Sequence, residues 1–325
     1  MKLPRRRFLR FLHLAAGAAA LPTLPRSARA QPYPSRPVRI IVSVIASVDE
    51  MLVQFVSQWL SERLGQPFTI DNQPSAGARI GAEAILDASP DGHTLALIIA
   101  ANLIQAVHYR KLGFIRDLAP VAGISRNPFV MVINPSCPAK TVPELIAYAN
   151  DNPGKLSIAS SGNGSILHLT SELFISITRI SVVHAPYRGM PPAIADLLAG
   201  KVHAMFLPIP NSIQHIKDGK LRALAVTSAM RSSLLPDVPA VGEFVRGYEA
   251  NGLQGLCAPK NTPAEIVDKL NREVNLMVAD PNFKGRLAEF GNTVLSGSPA
   301  AFGKLMMDDT EKWASIIRAA NIKLG

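Results

Sequence analysis

Ser160-Ser161-Gly162-Asn163-Gly164-Ser165 lies between two segments of different period. Before it, residues 156–159 (Leu156-Ser157-Ile158-Ala159) read as a short β run. After it, residues 166–174 place Leu167, Leu169, Leu173 and Phe174 as the apolar positions of a helix. The order is therefore strand, glycine-rich turn, helix. A helix N-terminus leaves backbone N–H groups unpaired and carries partial positive charge. Glycine lets that backbone come close to a ligand, while Ser and Asn add polar side chains. Such a junction suits a small anion, a carboxylate or a phosphate, without help from Lys or Arg. An N-capped helix after a tight turn needs the same residues, and the turn taken alone favours that plainer reading; the rest of the chain shifts it.

Strand and helix alternate outward from this unit. Upstream, residues 38–42 read as a buried strand, 43–50 as a loop, and 51–64 as an amphipathic helix ended by Gly65. Residues 68–71 read as a strand, 72–77 as a turn, 78–88 as a helix and 94–99 as a third strand, with Pro90-Asp91-Gly92 turning between the last two. A strand is expected at 130–133, and Thr141-Val142-Pro143-Glu144 forms a capping box for a helix to Asn150. Downstream, strands at 181–184, 202–207 and 224–227 alternate with helices at 192–199 and 213–217. Thr262-Pro263-Ala264-Glu265 places an N-cap Thr, Pro at the first helical position and Glu at the third, opening a helix to residue 279. Two more helices follow at 282–290 and 299–320. This alternation predicts an α/β fold with mostly parallel strands in two units of similar size, the last helices free to pack on either.

The chain has 325 residues, 48% hydrophobic and only 6% aromatic, enough for a large aliphatic core. Its formal charge of +10 is concentrated at the start, where residues 1–30 hold seven basic residues and no acid. Without them 27 basic residues face 24 acidic ones, a net of +3, and there is no electrostatic case for nucleic acid. Residues 1–30 read as a cleaved signal peptide. A basic start precedes a short apolar run at 11–21, and Ala28-Arg29-Ala30 fits a cleavage site before Gln31. Arg5-Arg6-Arg7-Phe8-Leu9-Arg10 resembles a twin-arginine export signal, with an ordinary signal rich in arginine as the alternative. A periplasmic protein is expected. Cys137 and Cys257, the two cysteines, sit beside proline in loop-like contexts and read as separate thiols, with a disulfide in an oxidising compartment as the alternative that geometry decides.

Catalytic signatures are missing from the pattern. There is no Gly-x-Ser-x-Gly elbow, no Walker-type loop and no third glycine to complete a dinucleotide fingerprint at Gly162-Asn163-Gly164. The seven histidines have no metal-ligand spacing, so neither a metal nor a cofactor is expected. His168, one turn into the helix after the glycine turn, reads as a packed or capping residue, with a ligand contact as the other option. Asp49-Glu50 are explained by the helix dipole. The informative segments are turn-to-helix junctions, which favours a binding protein over an enzyme.

Longer stretches carry a resemblance. Tyr33-Pro34-Ser35-Arg36-Pro37-Val38-Arg39-Ile40-Ile41-Val42, Pro90-Asp91-Gly92-His93-Thr94-Leu95, Ala159-Ser160-Ser161-Gly162-Asn163-Gly164-Ser165 and His184-Ala185-Pro186-Tyr187-Arg188-Gly189 are similar to segments of the Bug/TctC family. So are Gly219-Lys220-Leu221-Arg222-Ala223-Leu224-Ala225-Val226-Thr227, Leu235-Pro236-Asp237-Val238-Pro239 and Ala258-Pro259-Lys260-Asn261-Thr262-Pro263. The family comprises solute-binding proteins of tripartite tricarboxylate transporters, and the similarity covers essentially the whole mature chain. It implies a two-domain periplasmic binding protein (type II-like), each domain a mixed sheet flanked by helices, with a ligand cleft between them. Residues 31–129 and 254–325 would form a discontinuous first domain and 130–253 the second, with crossings near 124–134 and 250–258. The implied ligand is a small carboxylate held largely by backbone N–H groups, and the implied partners are the transporter's membrane components. A monomer is expected.

Carried over by position, the ligand loops are residues 43–50, 73–79, 160–165 and 186–189. The candidate contacts are Ser160, Ser161, Gly162, Asn163, Gly164, Ser165, Gly77, Arg79, Ala46, Ser47, Tyr187 and Arg188. This chain departs from the family in the first loop, where Ser43-Val44-Ile45-Ala46-Ser47-Val48-Asp49-Glu50 lacks the usual glycine pair. Pro74-Ser75-Ala76-Gly77 replaces Pro-Gly-Ala-Gly, Arg79 stands near a common Asn, and Asn251-Gly252-Leu253-Gln254 replaces a Trp-Phe-rich stretch. Three readings follow. The protein binds an unusual carboxylate with Arg79 in direct contact; or it is a degenerate member with weak or no ligand binding, acting as a sensor or interaction partner; or it is an exported enzyme, which needs a nucleophile or metal that the residues do not supply.

Overall fold

The computed structural model describes residues 32–43, 47–73, 79–108 and 113–323. The signal peptide expected at residues 1–30, together with Ala46 and Gly77, lies outside them. In chain order the first elements are β1 (Val38–Val42), α1 (Ser47–Leu64), β2 (Phe68–Asn72), α2 (Arg79–Leu86), β3 (Thr94–Ile99) and α3 (Ala100–His108). There follow α4 (Gly113–Arg116), β4 (Leu118–Ile133), α5 (Val142–Asp151), β5 (Ser157–Ser160), α6 (Ile166–Thr178) and β6 (Val183–Pro186). Next come α7 (Met190–Leu198), β7 (Ala204–Pro208), α8 (Ile209–Lys217), β8 (Arg222–Val226) and β9 (Asn251–Pro259). The chain closes with α9 (Ala264–Ala279), α10 (Pro281–Glu289), β10 (Thr293–Val294) and α11 (Pro299–Ala319).

Among the described residues the strands form one ten-stranded mixed sheet, in the order β2-β1-β3-β9-β4-β7-β5-β6, with β8 and β10 also paired to β4. β1 runs parallel to β2 and β3, and β5 parallel to β6 and β7. β9 is antiparallel to β3 and β4. Sequence reading assigns β4 only its last few residues and treats β9 as a crossing. The structure makes β4 a sixteen-residue strand. Its first part, Leu118 to Pro128, pairs with β9, and its last part, Phe129 to Ile133, pairs with β7 and β8. Pro120 and Gly123, which argue against a strand in the sequence, sit at register shifts of the β4–β9 ladder. Bulges of this kind tolerate a residue that cannot donate.

Three apolar clusters hold the sheet. One, on α1, α9 and α10, packs against β1, β3 and the start of β4, and includes Ile40, Leu52, Leu60, Leu270 and Phe283. A second lies on the opposite face of the same half, under α2, α3 and the start of α11. The third fills the other half around Phe129, Phe174, Phe206 and Tyr248. α11 belongs to both halves, since Phe302 and Met306 join the second cluster while Trp313, Ile316 and Ile317 join the third.

Local differences have local causes. Residues 47–50 are helical rather than loop, with Asp49 and Glu50 in the first turn of α1, where the dipole favours acids. Thr262 is not the cap of α9. Its hydroxyl donates to the Pro259 carbonyl at 2.7 Å, and Pro263, at φ −52° and ψ 137°, takes the capping position. At α5, Thr141 Oγ1 does accept from the Glu144 N–H (3.3 Å), but the Glu144 carboxylate reaches the N–H of Lys140 (2.7 Å) instead of that of Thr141. Both cysteines are buried free thiols, and Cys257 lies in β9 rather than in a loop.

Candidate functional site

α6 begins where β5 ends because Ser165 caps it. At φ −65° and ψ 157° its hydroxyl accepts the His168 N–H at 3.2 Å. The turn before it requires glycine, with Gly162 at φ 133° and Gly164 at φ 71°. α6 buries Leu167, His168, Leu169 and Phe174 against the sheet, and stops at Arg179 in the left-handed region (φ 58°). The neighbouring β6–α7 turn has the same form. Gly189, at φ 105°, precedes α7 without a side-chain cap. The two turns are laced together. Tyr187 N–H donates to the Ser160 carbonyl (3.0 Å) and Gly189 N–H to that of Ser161 (3.3 Å). Two helix starts thus lie side by side at the C-terminal ends of adjacent parallel strands, the position where ligands bind in open α/β sheets.

The turn's polar groups divide into two sets. Gly164 N–H donates to His168 Nδ1 at 3.0 Å, and Ser165 N–H to the Gly162 carbonyl at 3.2 Å. The buried Ser160 hydroxyl lies 2.7 Å from His184 Nε2, and 3.3 Å from both the N and the O of Gly162. The N–H groups of Ser161, Asn163, Ile166 and Leu167 have no partner among the described residues. Asn163 is exposed, and Ser161 is half-buried.

His168 and His184 stack with centroids 3.7 Å apart and planes 2° from parallel. Glu172 Oε1 lies 3.3 Å from His168 Nε2. Burial, and next the neighbouring His168, push the His184 imidazole down to about 4, against the opposing pull of Glu172. His168 is therefore a packed residue that also shapes the turn. Tyr187 directs its hydroxyl to Asp196 Oδ2 at 2.9 Å, and Lys201 joins the same carboxylate at 3.0 Å. Arg188 is exposed.

On the other half of the sheet, Ser47 and Arg79 open α1 and α2 at the C-terminal ends of β1 and β2. Asp49 carries more than the dipole explanation allows. It is buried, and its carboxylate accepts from Gln254 Nε2 of β9. Gln254 Oε1 in turn accepts from Ser125 Oγ, and from Asn292 Nδ2 at 3.3 Å. Burial pushes the Asp49 carboxyl up to about 6, although the Gln254 bond opposes it. Sequence reading gave no role to this cluster; its one signal was Gln254 standing in an unusual stretch. Among the described residues no three His, Cys, Asp or Glu gather as a metal site, and no helix is long and apolar enough to cross a membrane.

The family described as "Tripartite tricarboxylate transporter family receptor" (TctC) matches residues 52–322. A UPF0065 protein encoded in the tcbD-tcbE intergenic region of Pseudomonas sp. (strain P51) is 32% identical, covering 96% of this chain and 94% of that one. Rpa4515 of R. palustris, solved with adipate, is 31% identical with a TM-score of 0.74, covering 89% of this chain and 99% of its own. MatC of Rhodopseudomonas palustris, solved with bound malate, is 26% identical with a TM-score of 0.72, covering 88% and 100%. The α/β architecture, the paired helix starts and these similarities agree: the chain belongs to the tripartite tricarboxylate transporter receptor (TctC) family.

Proposed function

We infer that the protein is exported, captures a small carboxylate between two domains, and presents it to the membrane components of a tripartite transporter without acting as an enzyme. The observation that carries this reading is the set of unpartnered N–H groups at Ser161, Asn163, Ile166 and Leu167 around the start of α6. Aligned amides at a helix N-terminus satisfy a carboxylate with fixed partial charge and need no cationic side chain. Adipate in one similar structure and malate in another make dicarboxylates the first class to try. We assign the domains as residues 31–129 with 254–325, and 130–253, joined by β4, whose first part pairs with β9 and whose last part pairs with β7 and β8, and by the chain that leads into β9. Ser161, Gly162 and Asn163 are the foremost contacts. Ser160, Gly164 and Ser165 frame the turn, and Tyr187 and Arg188 flank it. Ala46, Ser47, Gly77 and Arg79 are the further candidate contacts, carried over by position from the family's first two loops. The protein acts as a periplasmic monomer, its leader removed after Ala30.

A second reading has its own observation. The first loop lacks the glycine pair of the family, and a buried acid, Asp49, sits at the start of the helix that follows it. A degenerate member would keep the fold and bind no carboxylate. The test is mass spectrometry of small molecules released from the mature protein, followed by thermal shifts with mono-, di- and tricarboxylates. Saturation at about 100 times the dissociation constant adds about 2.7 kcal/mol to stability. A shift of that size supports capture; an empty protein that no acid stabilises supports the degenerate reading.

A further inference from the structure

We propose that His168 and His184 act as one positioning unit for the ligand turn, selecting which backbone amides the turn offers; this rests on the carboxylate-binding reading above. Neither imidazole has to touch the ligand. Each holds a group of the turn that would otherwise compete for it or collapse into it.

The chemistry follows from the protons. Gly164 N–H points at His168 Nδ1 at 3.0 Å, so that nitrogen is an acceptor and carries no proton. The His168 proton is then on Nε2, which faces Glu172 Oε1 at 3.3 Å. A His168 protonated on Nδ1 would meet the Gly164 N–H donor to donor, and the turn would have to open. His184 Nε2 stands 2.7 Å from the Ser160 hydroxyl. When that hydroxyl accepts the Gly162 N–H, its own proton is directed at Nε2, and His184 too is an acceptor on this side. The parallel stack at 3.7 Å ties the two imidazoles together, so displacing one disturbs the support of both turn residues.

The consequence is a division of amides. Gly162 and Gly164 point their N–H groups inward, at Ser160 Oγ and His168 Nδ1. Ser161, Asn163, Ile166 and Leu167 are left to point theirs at an anion. A turn of the same sequence without the two imidazoles would free the Gly164 N–H and leave the Ser160 hydroxyl without its Nε2 partner, and binding would weaken through lost preorganisation.

The test compares His168→Leu, His168→Asn and His184→Gln in the mature protein. Asn places its side-chain oxygen where Nδ1 stood, and Gln at 184 replaces Nε2 in the same way; Leu fills space without an acceptor. Long-range ¹H–¹⁵N spectra of the ligand-free protein should show His168 protonated on Nε2 alone. Exchange of the Gly164 amide should be slow in wild type and His168→Asn, and at least tenfold faster in His168→Leu. Titration with adipate and with malate should show affinity lost at least tenfold in His168→Leu, largely recovered in His168→Asn, and largely kept in His184→Gln. A proton on His168 Nδ1, unchanged Gly164 exchange in His168→Leu, or wild-type affinity in that variant would overturn the proposal. If wild type binds neither acid, the carboxylate reading falls for this class, and the spectra and exchange rates still decide whether the pair shapes the turn.

Discussion

Arg126 of β4 and Asp309 of α11 form an ion pair at 2.5 Å in which the carboxylate is nearly inaccessible, with side-chain exposures of 16% and 6%. Lys312 also approaches Asp309, at 3.5 Å. The pair lies where β4 passes from its β9 partners to its β7 and β8 partners, and where α11 leaves one core for the other. A helix that contributes to two cores must be fixed in register against the strand that joins them, and this pair does so.

Removing one partner leaves the other charge buried. Asp309→Ala is expected to cost about 3–5 kcal/mol of unfolding free energy in urea, because Arg126 is then uncompensated. Replacing both, as Arg126→Met with Asp309→Leu, should recover much of the loss. A double variant no more stable than the worse single one would contradict this account.

Gly162 disfavours any side chain. At φ 133° an L-residue is strained, and its Cβ would lie 3.3 Å from the Tyr187 carbonyl oxygen. Gly162→Ala should therefore cost about 1–3 kcal/mol in stability and weaken ligand binding as the turn shifts. Equal stability of Gly162→Ala and wild type in chemical denaturation would contradict it.

Asp49 makes stability fall as pH rises. Its folded pKa of about 6 lies above its ordinary value of 3.8, so between them the native state holds more protons than the unfolded chain. Its contribution is present at low pH and is lost as pH rises from about 4 to 6, by about 1.4 kcal/mol per unit at most. Asp49→Asn should remove this slope from denaturation midpoints measured across that range, while Gln254 keeps an oxygen acceptor.

His184 has the opposite sign. Its folded pKa of about 4 lies below the ordinary 6.5, so on acidification the unfolded chain takes up the proton first. The contribution is full above 6.5 and is lost as pH falls from 6.5 to 4. His184→Gln should flatten that decline. Over pH 4–6 the two groups oppose each other, so the single variants should diverge from wild type in opposite directions.

Much of the fold was legible because short-range rules govern it. β3 falls at residues 94–99 as read, and α6 starts after Ser165, since capping and apolar spacing act within one or two turns. β9 was not legible. Gly252 and Gly255 weaken a strand in sequence terms, yet Gly255 is needed for close approach to the Ala122 carbonyl and the Phe302 ring, and Gly252 makes room for the Asn127 side chain. A Cβ on Gly255 would come within 2.3 Å of the Phe302 ring, and one on Gly252 within 2.1 Å of Asn127 Oδ1. Helix α11 lies over that strand, and nothing near Gly255 in sequence announces it.

The sequence by itself determined the strand–turn–helix unit at 156–174, the need for glycine in its turn, and the family to which the whole chain is similar. Those properties depend on backbone sterics and on partners a few residues away. Only the tertiary structure decided which amides of the turn are left open, where His184, 24 residues from Ser160, meets its hydroxyl. It also decided that Asp49 is buried against Gln254, 205 residues away. A hydrogen bond has no sequence signature when its partners are brought together by the packing of separate elements, because the residue type states only what a group can donate or accept.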